Sequence, residues 1–203
     1  MSNKKVLFVL LDEYADWEAG SLAAALNEEP EGQGQQFDVK TVSLTKDPIK
    51  SIGGFTVLPD YGLDDTPEDF AGLILIGGNS WRKEESKCVM ELVDKAIEKE
   101  IVLGAICDAT VFLGTNGLLN AIPHTSNHLE DLAETAGASY NNEGGYLHQQ
   151  AVRSGQIITA NGSAFLEFGK SVLEALNAAP QNEIDEWYGF FKKGYYEYMK
   201  TKQ

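Results

Sequence analysis

A doubly wound α/β fold, with a mostly parallel sheet and helices on both faces, is what this chain of 203 residues predicts. Three observations carry the prediction. The runs "KKVLFVLL", "AGLILIGG" and "IVLGAIC" are continuously apolar, the pattern of strands buried on both faces of a parallel sheet. Each is followed by a segment with apolar residues at helical spacing, so the strands are joined by crossover helices. Neither an internal repeat nor a low-complexity segment breaks the alternation.

In chain order, residues 4–11 form the first strand and residues 16–28, "DWEAGSLAAALNE", the first helix. Residues 29–36, "EPEGQGQQ", are polar and glycine-containing and read as a loop. "FDVKTVSL" (37–44) alternates like a strand. "IKSIGGFTVLPD" (49–60) reads as two short strands turning at Gly53-Gly54, a hairpin. Residues 71–78 are a second fully buried strand, stopped by Gly77-Gly78. Residues 84–100 are a helix on which Val89, Leu92, Val93, Ala96 and Ile97 make one stripe.

Residues 101–107 form a third buried strand, and 108–119 the helix after it. A short stretch, "HTSN" (124–127), precedes a helix over 129–137 with Gly137 as its stop. Residues 150–162 read as two strands turning at Ser154-Gly155, and 164–177 as a further helix. These elements make one α/β domain over 1–179. The remainder, 180–203, differs: Trp187, Phe191, Tyr195 and Tyr198 recur at three- and four-residue steps, an aromatic helical extension interrupted at Gly194. It is expected to pack on the domain or across a dimer interface.

Composition narrows the function. The apolar share of 43% and charged share of 23% are those of an ordinary globular protein. A net charge of -15 argues against nucleic acid or an anionic membrane surface as partner, because both are bound through basic patches. The excess of carboxylates reads as a solubilising surface. Two cysteines, Cys88 and Cys107, make no disulfide framework, and no Cys/His cluster has metal-ligand spacing. The apolar run at the start ends at Asp12 and Glu13, too short to span a bilayer. The expected compartment is therefore the cytoplasm, where thiols stay reduced. Without GxGxxG or a P-loop, no cofactor is expected.

The chemistry gathers at "GAICDAT", residues 104–110, where a buried strand turns into a helix. Ligand sites in open parallel sheets form at the carboxyl ends of strands. Three features meet there: Gly77-Gly78, Cys107-Asp108, and the loop leading from strand one to Glu18. Cys107 on such a turn projects into the cleft, and the helix N-terminus favours its thiolate. The alternative for a cysteine at this position is an apolar plug. Cys88, mid-helix, reads as an ordinary packing or surface thiol.

"DEYADWE", "LILIGG", "GAICDAT", "HTSNH" and "IITANG", in this order and spacing, resemble the DJ-1/PfpI superfamily of the class I glutamine amidotransferase-like fold, a flavodoxin-like architecture. The resemblance covers residues 4–177 and is greatest to bacterial amidotransferase-like or intracellular protease members. It implies Cys107 as nucleophile, Glu18 as its acidic partner and the amides of Gly78 and Asp108 as an oxyanion hole. A buried, protonated glutamic acid can donate a hydrogen bond to a thiolate.

The pattern also departs from the family. Ala109 stands where the family usually has glycine, and the charge of Asp108 opposes a thiolate if it points inward, although capping of the helix is the better account of it. The family's base, a histidine at the end of a "TTH"-like stretch, aligns with Asn127, and His128 falls one place late. Register favours Asn127 at the thiol; the need for a base favours His128. His124 and His148 read as strand-face or surface residues. No His-x-Glu pair precedes the final helix, which counts against a genuine glutamine amidotransferase. The expectation is a homodimeric enzyme without metal or cofactor, in which Cys107, Glu18 and His128 act on a small-molecule carbonyl, peroxide or amide and Gly78, Asp108 and Asn127 line the site. The alternative is a cysteine-based redox sensor without turnover.

Overall fold

Period-two alternation within the apolar strands decides which face each side chain covers. In the computed structural model, which describes residues 3–28 and 35–202, strand β1 (Lys4–Val9) sends Leu7 and Val9 into one core layer and Val6 and Phe8 into the other. The same split holds for β5 (Gly72–Leu75), with Leu73 and Leu75 opposite Ile74. Both faces are thereby dry, which is why these strands carry no polar alternation.

Six strands form the main sheet in the order β2-β1-β5-β6-β8-β7, with β2 (Phe37–Val42), β6 (Val102–Ile106), β7 (Ala151–Ser154) and β8 (Ile157–Ala160). All pairs are parallel except β7 with β8, which turn at Gly155 with φ 60°. The expected hairpin is β3 (Ile49–Lys50) with β4 (Thr56–Val57), an antiparallel pair outside the main sheet.

Helices α2 (Met90–Glu98), α3 (Asp108–Thr115) and α4 (Leu129–Ala136) cover one face. On the other lie α1 (Asp16–Asn27), α5 (Phe165–Leu176) and α6 (Gln181–Lys193). The doubly wound, mostly parallel architecture is thus as the sequence predicts. Among the described residues, no helix is long and apolar enough to cross a membrane. The predicted loop over 29–36 lies mostly outside the described residues.

Three local expectations need correction. The helix predicted over 84–100 begins as 3-10 turns, Glu84–Val89, before α2. The Ser86 hydroxyl there reaches Trp81 O and Lys83 O, both at 2.7 Å, and such local bonds compete with regular helix. Cys88 sits in those turns and is exposed. The helix predicted to run to residue 119 stops at Thr115, because Asn116 caps Phe112 O and Gly117 turns left-handed at φ 76°. Residues 125–127, expected as a short strand beside the turn at Cys107, form none. The segment is extended and held by side chains: Thr159 Oγ1 accepts the Thr125 amide at 2.9 Å, and Thr125 Oγ1 donates to Gln149 O at 3.0 Å.

The aromatic extension forms α6 and then α7 (Tyr195–Lys200), broken at Gly194 with φ 78°. Ile184 is buried, Trp187 lies over Gly169 of α5, and Lys170 pairs with Asp185 at 2.6 Å. The outer aromatics stay in solvent, with Tyr196 82% exposed.

Candidate functional site

Cys107 follows β6 and N-caps α3, and its backbone pays for that reversal with φ 58° and ψ -130°. A non-glycine residue in this region costs on the order of 1–3 kcal/mol and persists only where its surroundings hold it. Here the Cys107 amide donates to Ala160 O at 2.9 Å. Its carbonyl accepts the Thr110 amide at 3.0 Å and the Thr110 hydroxyl at 2.6 Å. Thr110 Oγ1 in turn lies 2.6 Å from buried Ser126 Oγ. The turn raises the thiol to the carboxyl end of the sheet, at the start of α3.

Glu18 comes from the first turn of α1 and is fully buried. Its Oε2 accepts the Gly77 amide at 2.9 Å, and its Oε1 is a buried oxygen without a hydrogen-bond partner. The free oxygen faces the thiol. A Cβ built on Gly162 would lie 2.9 Å from both Glu18 Oε1 and Cys107 Sγ. Burial pushes the Glu18 carboxyl up to about 7, against the lowering effect of the Gly77 amide and the thiol. Burial and then the Glu18 charge push the thiol up to about 11. Glu18 therefore gives up its proton before the thiol does, and above neutrality the pair holds one proton, on sulfur beside a carboxylate.

Asn127, not His128, reaches the sulfur. Asn127 Nδ2 donates to Cys107 Sγ at 3.2 Å, and its Oδ1 accepts the Gly162 amide at 2.9 Å, which orients the amide group. His128 follows on extended backbone (φ -147°, ψ 139°), so its side chain turns the other way, into solvent at the start of α4. The expectation of His128 as base is overturned on geometry. The other imidazoles are elsewhere: His124 bonds Ile122 O and Tyr140 Oη, and exposed His148 packs against Tyr146. Replacing His128 with alanine is expected to leave Cys107 alkylation within about twofold of wild type, whereas Asn127→Ala should slow it severalfold by removing a donor to the thiolate. Rates with iodoacetamide at neutral pH check both.

Two further neighbours were not singled out by sequence reasoning. Gly162 closes the cradle around Sγ and Oε1, and the only hint was its place in "IITANG". Arg82 holds Asp108 through two bonds of 2.7 Å, so the Asp108 carboxylate is paired with a guanidinium rather than capping α3. No motif pointed to it. Gly78 lines the cleft over Cys107, and the reason for glycine is local: a Cβ there would lie 2.5 Å from Glu13 O and 2.7 Å from Tyr14 Cα. A cleft of about 430 Å³ lies over the sulfur, lined by Trp17, Ile52, Gly78, Arg82, Asp108 and Asn127 among others. Among the described residues, no cluster of His, Cys, Asp or Glu could hold a metal.

The model of the DJ-1/PfpI family matches residues 4–175. The chain belongs to the DJ-1/PfpI family. It is 39% identical over 199 residues to a Bacillus subtilis protein named uncharacterized protease YdeA, covering 96% of this chain and 94% of that one. Uncharacterized protease YoaZ of the same organism is 32% identical, covering 98% and 96%. Among solved structures, the thiJ/pfpI family protein from Bacillus anthracis superposes with a TM-score of 0.88 at 31% identity, over 98% of this chain and 95% of that one.

Proposed function

We propose that this family member is a thiol enzyme in which Cys107 adds to a small carbonyl compound, with Glu18 carrying the proton. The observation that supports it is the buried, otherwise unpartnered Glu18 Oε1 facing the sulfur, with no imidazole among the groups acting on the thiol. A group that titrates near 7 is matched to acid–base work at neutral pH. The Glu18 carboxylate takes the thiol proton while sulfur bonds to the carbonyl carbon. The carbonyl π pair moves to oxygen, which then receives the proton from Oε1, and the product is a hemithioacetal. The amides of Gly78 and Asp108 are the candidate donors to the developing oxyanion.

Amide hydrolysis fits less well, because expelling an amine wants a histidine in the position that Asn127 occupies. Consumption of methylglyoxal by wild type and Cys107→Ala tests the proposal. The variant is expected to fall to the uncatalysed background, and equal rates in the two proteins would end the enzymatic reading. Because Glu18 must be ionised to accept the proton, the wild-type rate should rise as pH passes through about 7, and Glu18→Gln should flatten that rise.

For assembly we propose a homodimer, supported by exposed apolar side chains at Phe55 (67%), Leu58 (70%) and Tyr196 (82%). Light scattering is expected to give twice the chain mass of 22.2 kDa at micromolar concentration; a monomer would refute it.

A further inference from the structure

A guanidinium offers five N–H donors in a planar fork, and what it can still bind depends on how many are already taken. Among the described residues lining the cleft over Cys107, Arg82 is the only cation. Its fork is full. Nε and Nη2 donate to Asp108 Oδ2 and Oδ1, both at 2.7 Å. Nη1 and Nη2 donate to Asp131 Oδ1 and Oδ2 at 3.1 and 2.7 Å, and Nη1 also reaches Thr135 Oγ1 at 3.3 Å. Arg82 thus ties the loop after β5 to the starts of α3 and α4, and the two carboxylates hold its pKa above the ordinary value.

One guanidinium against two carboxylates leaves the cluster with a net negative charge at the edge of the cleft. Asp16, between the lining residues Ala15 and Trp17 in the chain, accepts the Gly53 amide at Oδ2 (2.8 Å), is held below the usual carboxylate range and adds a further negative charge on this side of the molecule. The remaining lining is uncharged: Ala15, Trp17, Ile52, Gly78, Asn79 and Asn127. A substrate bearing a carboxylate would have to displace Asp108 or Asp131 from Arg82 or face this field unpaired. A neutral carbonyl meets neither cost.

We infer that the cleft selects by charge, admitting uncharged electrophiles to Cys107 and turning away anionic ones, because its guanidinium is saturated by Asp108 and Asp131. The inference rests on the reading of Cys107 as a reactive thiol, and Asp131 is the specificity-determining residue. It requires no contact between Asp131 and substrate, since the second carboxylate acts through the charge it leaves on the cluster.

Two alkylating agents of nearly equal size and leaving group, neutral iodoacetamide and anionic iodoacetate, separate charge from shape. Their rates are measured at Cys107 and, in the same molecules, at exposed Cys88 as internal reference. At low ionic strength the iodoacetamide-to-iodoacetate ratio is expected to be about tenfold higher at Cys107 than at Cys88. About 0.5 M salt should shrink that excess, because it screens partly exposed charges. Asp131→Asn should shrink it at low salt, and the salt series on wild type keeps the test intact should that variant fold poorly. Equal ratios at the two cysteines would overturn the inference while leaving a reactive thiol in place. If neither reagent labels Cys107 in the folded protein, the thiol reading itself falls, and the charge selection with it.

Discussion

Replacing Glu18 with glutamine is expected to change the pH dependence of stability by about 3 kcal/mol, the 1.36 kcal/mol per pKa unit applied to a rise from 4.5 to about 7. The direction follows from which state loses its proton first. The unfolded chain ionises Glu18 near 4.5, whereas the folded protein holds the proton until about 7. As pH rises through that window, the unfolded state gains the favourable ionisation and folding loses stability; below 4.5 both states are protonated and the penalty is absent. Glutamine has no such titration, yet its carbonyl can still accept the Gly77 amide. Urea titrations of both proteins at several pH values should therefore show the variant gaining on wild type between pH 4.5 and about pH 7, the interval over which the shift acts. Parallel curves would mean that Glu18 is ionised normally in the folded protein, and its proposed part as proton carrier at Cys107 would be lost with it.

Gly77→Ala is expected to destabilise the fold by roughly 3 kcal/mol or more, at the upper end for overpacking a core. A Cβ at Gly77 would meet Cys107 Cβ, lie 2.5 Å from Glu18 Oε2 and 2.8 Å from the backbone oxygen Ile106 O. None of the three can withdraw cheaply. Cys107 and Ile106 are pinned by the strand-to-helix turn and by β6, and Glu18 Oε2 is held by the very amide of Gly77. Gly20 is the control: it lies within α1, and nothing lies within 4 Å of its would-be Cβ. Gly20→Ala should raise stability by about 0.5–1 kcal/mol through helix propensity. Thermal unfolding of the two variants is expected to move in opposite directions. A Gly77→Ala protein as stable as wild type would show that the elbow and Glu18 are looser than their spacing implies.

Both effects depend on features with unequal legibility in the sequence. The buried strands, their crossover helices and the hairpin near Gly53-Gly54 were readable because each rests on a period within a single segment. Element ends were less readable, since side chains such as Ser86 and Asn116 trimmed helices through local bonds that periodicity does not register. At the candidate site, Cys107 was readable from its place at a strand-to-helix junction, and its positive φ is the backbone form of that junction.

The partners of Cys107 were readable only through family likeness, and there the one-residue ambiguity between Asn127 and His128 stayed open. A loop segment has no period to assign it a register. Its register came instead from Thr159 and Gln149, which grip Thr125 and so point Asn127 at the thiol and His128 at solvent. Arg82 and Gly162 were silent for a related reason: each acts on residues dozens of positions away, through a guanidinium fork in one case and an absent side chain in the other.

By itself, then, the amino-acid sequence determined the doubly wound sheet, the elbow and the acidic balance of the chain, because local periodicity and composition encode them. The tertiary structure alone decided that Asn127 rather than a histidine donates to the thiol, that the free Glu18 oxygen faces sulfur, and that Asp108 is bound to Arg82. These are matters of ångström-scale approach between distant segments, set by how packed elements crowd one another and by which polar atoms burial leaves without water.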